Sequence, residues 1–197
     1  MRVHVVFAHP SSASFAGAVR DRVVRALIAR GHEVDELDLY AAGFDPVLTP
    51  GEWTAHVQGG ANLAGIGPEV ERLRKADALV LVFPTWWFGM PAILKGWFDR
   101  VWAPGVAFHL PPRGGPLRRG LTNIRSFAVV TTHGSPWWVI ALGLGNPGKT
   151  VLMRGIAPLL APGAAIRFLA LYDMDRAGRP RLERFLEGVE RAFRSFA

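Results

Sequence analysis

Three serines follow the first apolar run of the chain, just before a helical pattern. Ala8-His9-Pro10 ends the run, and the serines occupy positions 11, 12 and 14. The amides at a helix N-terminus carry partial positive charge and bind phosphate groups, and hydroxyl groups add further donors. Ser14 also suits a plain helix cap, whose side chain accepts from a backbone amide. The segment therefore predicts either a phosphate site without a metal ion or an ordinary cap.

Three consecutive aromatic residues form a second candidate site. The segment 84–91 reads PTWWFGMP and follows the continuously apolar stretch 78–83. Because successive side chains of an extended chain point to opposite sides, Trp86, Trp87 and Phe88 cannot all be buried. A planar polycyclic ligand would use their large flat surfaces. Two other interpretations stay open here, namely an interface patch and a core-filling role.

Missing residue types and motifs exclude several kinds of chemistry. The sequence has no cysteine, which excludes disulfides, thiolate metal sites and cysteine nucleophiles. Neither G-x-G-x-x-G nor G-x-x-x-x-G-K-[ST] follows the first apolar run, so no Rossmann or nucleotide-hydrolysing phosphate loop is indicated. No metal site is predicted. Redox chemistry in this chain would need a bound cofactor.

The excess positive charge lies in one part of the chain. The net charge is +7, and residues 100–172 hold eight basic residues and no acidic one. Such a segment favours an anionic partner, or is simply a solvated face. Its arginines follow no nucleic-acid-binding pattern, so we expect no nucleic acid partner. No apolar run reaches the roughly 18–20 residues of a membrane span, and the run at 3–8 is shorter than that of a signal peptide. We therefore expect a cytoplasmic protein without a membrane span.

Five apolar segments alternate with helical patterns and must position these loops. The segments lie near residues 3–7, 34–39, 78–83, 125–132 and 165–171. Half of the residues are hydrophobic, which is enough for a packed core, and the length of 197 residues suits a single domain over 1–197. The alternation predicts an α/β fold, with a five-stranded parallel sheet and helices on both faces. In the strand order 2-1-3-4-5, ligands bind beyond the carboxyl ends of strands one and three.

Several of these segments resemble NAD(P)H:quinone oxidoreductases of the flavodoxin-like fold. The resemblance rests on Ala8-His9-Pro10 with Ser14-Phe15, on Asp38-Leu39-Tyr40, and above all on Phe83-Pro84 with the run from Trp87 to Val101. It covers roughly residues 1–175. It implies a homodimeric flavoenzyme that takes hydride from NAD(P)H onto FMN or FAD and passes it to a quinone or a similar acceptor.

The resemblance also assigns roles by position. To the flavin phosphate it assigns His9, Ser14, Phe15 and Ala16. Along the isoalloxazine ring it places Pro84, Thr85, Trp86, Trp87 and Phe88. The family's Thr-Thr-Gly-Gly loop, whose amides face the pyrimidine edge of the ring, corresponds to Thr131, Thr132, His133 and Gly134.

This chain departs from the family pattern at two places. His133 stands where the family has a glycine, so a side chain is expected where the backbone approaches the flavin. The family's active-site tyrosines are replaced around residues 107–110, which leaves no Tyr/His proton relay and no assigned catalytic acid or base. The candidate acceptor pocket is then Phe108, His109 and His133, although His109 and His133 also suit exposed loop positions.

Three further expectations concern cofactor, co-substrate and class. FMN is expected rather than FAD, because little sequence follows the last predicted strand and helix to hold an adenosine. Arg113, Arg118 and Arg119 are candidates to attract NAD(P)H. The alternative functions are an ancillary flavoprotein of a membrane transporter and a flavodoxin-type electron carrier; the carrier is disfavoured because such carriers are typically acidic.

Overall fold

The computed structural model describes residues 1–111 and 115–196. Its strands are β1 (Arg2–Phe7), β2 (Glu33–Asp38), β3 (Ala78–Pro84), β4 (Phe108–His109), β5 (Arg118–Arg119), β6 (Ser126–Thr132) and β7 (Ala165–Leu171). Its α-helices are α1 (Phe15–Ala29), α2 (Pro50–Val57), α3 (Gly67–Lys75), α4 (Ala92–Val101), α5 (Pro147–Thr150) and α6 (Arg179–Arg194).

The main sheet has five parallel strands in the order β2-β1-β3-β6-β7. The short antiparallel pair β4-β5 lies outside this sheet, in the segment 104–123, whose proline, glycine and arginine content predicts a loop. The strands of this hairpin are numbered β4 and β5. When only the five strands of the main sheet are numbered in chain order, their order in the sheet is 2-1-3-4-5. Phe7 pairs with Val82, and Pro84 pairs with Thr132. The carboxyl ends of β1, β3 and β6 therefore meet at one edge, as predicted.

Alternating side chains of the sheet form two cores, one on each face. Val3, Val5 and Phe7 pack on one face with α1 and α6. Val6, Leu79 and Leu81 are buried on the other face, in a cluster that includes residues of α3 and α4. Burial on both faces explains why β3 is continuously apolar and why β6, which is buried throughout, is apolar over residues 127–130.

The helical segment before β7 differs from its sequence pattern, which predicts a single helix over residues 150–160. Helical turns begin at Pro147, continue as a wide π-type stretch over Val151–Ile156 and end as a 3₁₀ turn over Ala157–Leu159. Proline suits the first turn of a helix, which explains the earlier start. Gly155 and Pro158 disfavour regular α-helical hydrogen bonding, which explains the changing pitch. A further π-type turn, Val139–Gly143, lies within the segment 133–148, whose glycine content predicts a loop.

A buried ion pair anchors the long connection between β2 and α3. The Arg100 side chain on α4 donates from Nε to Glu52 Oε1 of α2 at 2.9 Å. Thr49 and Glu52 also form a capping box at the start of α2. The Arg100 guanidinium lies 5.4 Å from the Phe44 ring centroid. These contacts fix α2 against α4, the helix that follows the aromatic segment.

None of the helices in residues 1–111 and 115–196 combines the length and the apolarity that crossing a bilayer requires.

Candidate functional site

Two adjoining clefts open at the edge where β1, β3 and β6 end. The first, here called the α1 cleft, measures about 390 Å³ and lies at the N-terminus of α1. Its lining residues are His9, Ser14, Phe15, Ala16, Pro84, Thr85, Trp86, Thr132, Gly134, Met174 and Asp175. The second, the β6 cleft, measures about 420 Å³. Its lining residues are Thr85, Trp87, Phe88, His133, Gly134, Ser135, Pro136, Ile140, Asp173, Asp175 and Arg176.

The N-terminus of α1 combines a side-chain cap with available amides. Ser14 Oγ accepts from the Gly17 amide at 3.1 Å, so Ser14 is the cap that the sequence allowed. The amides of Phe15 and Ala16 precede the first intrahelical hydrogen bond and face no acceptor among the described residues. A Cβ on Gly17 would lie 1.9 Å from the Ser12 carbonyl oxygen, so only glycine lets the serine loop approach the helix this closely. Capping and anion binding are therefore compatible at this end of α1.

His9 holds its own loop and also lines the α1 cleft. Its Nδ1 lies 2.9 Å from the Ser11 carbonyl oxygen and 3.0 Å from the Ser11 amide nitrogen. Its ring centroid is 6.2 Å from that of Trp86. The position of His9 after the first strand allows either a contact within its own loop or a cofactor contact, and in the structure one conformation both makes the loop contact and lines the cleft.

The aromatic segment forms a tight turn that projects its side chains outward. Trp86 and Gly89 exchange two backbone hydrogen bonds of 3.1 Å, with Trp87 and Phe88 between them. The central residues have φ values of 50° and 64°, a left-handed conformation that bulky residues rarely adopt. Trp87 is 95% exposed, against 41% for Trp86 and 37% for Phe88. This exposure rules out the core-filling interpretation of Trp87 and leaves the ligand-binding and interface interpretations open.

His133 is turned into the protein instead of projecting from its loop. It is only 1% exposed, and its ring stacks on Tyr172 with centroids 4.8 Å apart and planes 9° from parallel. Thr85 Oγ1 donates its single hydrogen to the Thr132 carbonyl oxygen at 2.8 Å. His133 Nδ1, 3.0 Å from the same Oγ1, must therefore be the donor in that contact.

This environment keeps the His133 imidazole neutral. Burial lowers the pKa of His133 from 6.5 to about 4. With the proton on Nδ1, Nε2 carries a lone pair, and this buried atom has no hydrogen-bond partner within the described part of the chain. The imidazole therefore joins the ends of β3 and β6 without adding positive charge to the clefts.

The connection between β7 and α6 supplies cleft residues that the sequence analysis missed. The His133 amide donates to the Leu171 carbonyl, and the Asp173 and Met174 amides donate to the Ser135 and His133 carbonyls, at 2.7–2.9 Å. These bonds bring Asp173 and Asp175 to the cleft walls. Both residues follow the carboxyl end of the fifth sheet strand. Because ligands in this fold bind beyond the carboxyl ends of strands, considering that strand as well would have found them.

Other predicted residues lie outside the two clefts. Thr131 is buried within β6 and lines neither cleft. Phe108 packs partly against the core and His109 is exposed, both on the β4-β5 hairpin, and neither lines either cleft. Their acceptor role stays a prediction. Arg118 and Arg119 are exposed on β5. Arg113 lies outside the described residues.

In the two described ranges, no group of three or more His, Asp or Glu side chains is arranged to hold a metal ion.

The part of the chain that matches a known family includes most of the residues that form the two clefts. Residues 1–151 match the sequence pattern of the family described as having the flavodoxin-like fold. The chain belongs to this family. The flavodoxin-like segment includes the ends of β1, β3 and β6, but not the β7–α6 connection that carries Asp173 and Asp175.

This flavodoxin-like chain is similar to one curated protein and one solved structure with oxidoreductase names, and to a further solved structure without one. NAD(P)H dehydrogenase [quinone] 1 of Rattus norvegicus is 33% identical over 152 residues, which cover 68% of this chain and 54% of the rat protein. The structure of an NAD(P)H:quinone oxidoreductase from Methanothermobacter marburgensis shares 27% identity with a TM-score of 0.88, covering 99% of this chain and 98% of that one. Smu.1420 from Streptococcus mutans UA159 shares 30% identity with a TM-score of 0.86, and each chain covers the other fully (100%). The chain spans about half the length of the curated rat relative.

Proposed function

We propose that this protein is a flavin-dependent NAD(P)H oxidoreductase that transfers hydride from NAD(P)H to a quinone or a similar small acceptor. The observation that carries the proposal is the junction of the two clefts. Together they join helix amides that have no acceptor among the described residues to an exposed aromatic turn, at the sheet edge where this fold binds ligands. The names of the relatives support the same reaction class.

The residues present fit a flavin. The amides of Phe15 and Ala16 and the α1 dipole suit its phosphate. Trp87 and Phe88 offer flat apolar surface to a tricyclic ring at the mouth of the β6 cleft. Gly134 lines both clefts without a side chain that would block the ring's polar edge. A bound flavin supplies the ring that accepts hydride and passes it on.

This chain's residues would act on that transfer through position and electrostatics. The turn at Trp87 and Phe88 orients the ring, and proximity alone lowers the barrier to hydride transfer when two flat systems stack. Backbone amides after β6 would stabilise negative charge on the pyrimidine edge of a reduced ring. Neutral His133 holds this loop through its hydrogen bond to Thr85 and adds no positive charge of its own to that edge.

The proposal names FMN rather than FAD. The α1 cleft is bordered by Met174 and Asp175, and its lining residues within the described chain include no lysine or arginine. The free amides at the start of α1 serve one phosphate, and the described lining offers no cationic side chain to the second phosphate of FAD. Mass spectrometry of the cofactor released from purified protein distinguishes the two.

Reconstitution tests the proposed function directly. Adding FMN to cofactor-free protein is expected to give a yellow complex of one flavin per chain that NADH or NADPH bleaches without oxygen. A quinone added afterwards is expected to restore the colour. Protein that stays colourless with both FMN and FAD would contradict the proposal.

Trp87→Asn is expected to change stability and flavin affinity in opposite directions. Asparagine tolerates positive φ, so the free energy of unfolding should rise by about 1 kcal/mol. Losing the aromatic contact should weaken FMN binding several-fold, since a stacked pair contributes about 0.5–1.5 kcal/mol. Urea unfolding and fluorescence titration measure the two effects.

Trp137→Asn is the matched control, because Trp137 is exposed but does not have a positive φ. It should not gain stability. An equal stability gain in both variants would contradict the backbone strain at Trp87, and unchanged FMN affinity in Trp87→Asn would remove the ligand role from the turn.

Steady-state kinetics are expected to follow a ping-pong pattern. NAD(P)H and the acceptor must approach the same ring face at the mouth of the β6 cleft, so they should exclude one another. Double-reciprocal plots at several acceptor concentrations should then be parallel. Intersecting lines, which require a ternary complex, would contradict a shared site.

Salt should weaken NAD(P)H binding more than binding of a neutral quinone. The Debye length falls from about 10 Å at 0.1 M salt to about 3 Å at 1 M. If Arg118 and Arg119 attract the dinucleotide, replacing both by alanine should raise the Michaelis constant for NAD(P)H and flatten its salt dependence. Replacing the exposed Arg74 and Arg191 together removes the same charge elsewhere and should not. Equal changes of the Michaelis constant in both double variants would mean that the net charge of the protein, and not Arg118 and Arg119, attracts NAD(P)H.

A second copy of the chain is the proposed macromolecular partner. Trp87, Trp137, Trp138 and Leu142 are exposed apolar residues on the segments that bear the β6 cleft or follow it. Exposed apolar side chains in such number favour association. Sedimentation equilibrium is expected to give twice the chain mass of 21.5 kDa. A single-chain mass at micromolar concentration would contradict the homodimer.

A further inference from the structure

Three residues line both clefts and therefore mark their junction. These are Thr85, Gly134 and Asp175. Thr85 Oγ1 is already engaged by Thr132 and His133. Gly134 has no side chain. Asp175 is thus the one junction residue with a charged side chain, and its two oxygens can only accept hydrogen bonds while it is ionised.

The backbone around Asp175 is fixed by several contacts. It lies in the 3₁₀ turn Met174–Arg176, whose first amide donates to the His133 carbonyl at 2.9 Å. A Cβ on Gly134 would lie 2.6 Å from Asp175 Oδ2. The carboxylate therefore sits directly over the Gly134 backbone, where no larger residue would fit without moving it.

The Asp175 carboxylate makes no hydrogen bond or ion pair with residues 1–111 or 115–196. Its neighbour Asp173 behaves differently, with Arg176 Nη1 and Arg181 Nη1 each at 3.9 Å. An unengaged carboxylate at a cleft junction is suited to donors of a ligand that crosses the junction. Hydrogen bonds to an ionised acceptor are about twice as strong as neutral ones.

We propose that Asp175 binds hydroxyl groups of the polyol chain that links the phosphate of a flavin to its ring. This assignment rests on the proposed function, which puts the phosphate in the α1 cleft and the ring in the β6 cleft. The linker must then cross the junction, and its hydroxyls are the donors that a carboxylate accepts. Asp175 is accordingly a specificity residue for flavins that carry the polyol.

Three flavins separate this role from the alternatives. Lumiflavin has the ring without the polyol, riboflavin has the polyol without phosphate, and FMN has both. For Asp175→Ala, riboflavin binding is expected to weaken about 10-fold or more. Lumiflavin binding should not change. FMN binding should weaken less than riboflavin binding, because removing the carboxylate also removes its repulsion of the phosphate.

Two further variants keep the test specific. Asp175→Asn retains the shape and one acceptor oxygen, and should lose less riboflavin affinity than Asp175→Ala. Glu187→Ala removes an exposed carboxylate on α6 that pairs with Arg191, and should leave all three affinities unchanged. Far-UV circular dichroism and thermal unfolding check that each variant is folded. Affinities are read from quenching of flavin fluorescence, independently of turnover.

Each other outcome overturns a definite statement. Unchanged riboflavin affinity in Asp175→Ala, or equal losses for riboflavin and lumiflavin, would overturn the polyol contact while leaving the proposed function intact. Tighter riboflavin binding in that variant would do the same. If wild-type protein binds none of the three flavins and no FAD, the proposed function fails, and the assignment of Asp175 fails with it.

Discussion

Arg100→Ala is expected to lower the free energy of unfolding by about 3–5 kcal/mol, the usual cost of leaving one half of a buried ion pair. The side chains of Arg100 and Glu52 are only 8% and 2% exposed, and Nη2 lies 2.8 Å from Oε1. Burial, the largest influence, raises the pKa of Glu52, but hydrogen bonds from Arg100 and Thr49 together outweigh it and hold that pKa below its ordinary value. Without Arg100, the carboxylate loses its main compensation. Urea unfolding at pH 7 measures the change.

Two comparisons separate the buried pair from a general charge effect. Arg125→Ala breaks an ion pair with Asp77 whose side chains are 67% and 37% exposed, and should cost less than about 1 kcal/mol. The double variant Arg100→Met with Glu52→Leu removes both charges, and should recover much of the loss. A double variant less stable than Arg100→Ala would show that the two charges contribute to stability themselves.

The loss of Arg100 should also reach the candidate site. Helix α4 follows the aromatic turn after Met90 and Pro91, and Arg100 lies on its last turn. The guanidinium also donates to the Asp45 carbonyl, which holds the connection after β2. We therefore expect weaker FMN binding in Arg100→Ala at temperatures where the variant is still folded.

Elements with a clear pattern of apolar residues could be predicted from the sequence, and elements without such a pattern could not. The strand β3 is a continuous apolar run, and β1 and β6 are apolar at most of their positions, so the place of these strands and the edge where they end follow from hydrophobicity. The β4-β5 hairpin has two residues in each strand, which is too short for an alternating pattern. Its formation depends on contacts distant in sequence, such as Arg119 Nε donating to the Pro158 carbonyl at 2.7 Å.

The candidate site was predictable in its loops but not in its conformations. The position of Trp87 and Phe88 after a buried strand placed them at the edge, yet no propensity predicts positive φ for two bulky residues. Such local violations are expected where a turn serves a ligand. Asp175 was missed because only the carboxyl ends of β1, β3 and β6 were considered and not that of β7, whereas its exact contact with the clefts depends on hydrogen bonds to residues 133–135.

His133 shows the same division between position and conformation. The resemblance to the Thr-Thr-Gly-Gly loop located the substitution, and a projecting side chain was the natural expectation. The ring instead packs inward because Tyr172, the residue after β7, offers a parallel stacking surface and Thr85 offers an acceptor. Both partners come from other strand ends, so their proximity is a property of the fold.

The second large effect is the expected loss of stability as pH falls from about 6.5 to about 4. The unfolded chain protonates His133 near its ordinary pKa of 6.5, whereas burial lowers the pKa in the folded state to about 4. Between these values the unfolded state binds the extra proton, so the stability gained from neutral His133 is fully present above pH 6.5. It decreases as the pH falls through this window and declines no further below about 4. The whole difference corresponds to roughly 3 kcal/mol.

His133→Asn is the variant that tests this prediction. Its amide nitrogen can replace Nδ1 as the donor to Thr85 Oγ1, and the side chain does not titrate. Free energies of unfolding in urea, measured every half pH unit from 7.5 to 4, should converge for wild type and variant as the pH falls. Carboxylates with lowered pKa values, such as Asp35 and Asp77, titrate in both proteins and cancel in the difference.

His109→Asn provides the matched control, because His109 is exposed and should leave the pH dependence of wild type unchanged. A constant difference between wild type and His133→Asn across the whole range would mean that His133 protonates equally well in both states, and the buried neutral tautomer would be wrong. Convergence confined to pH 4–6.5 would instead support it. It would also imply that the loop after β6 loosens in acid, because protonated His133 cannot stay buried between Tyr172 and Thr85 without a counter-charge.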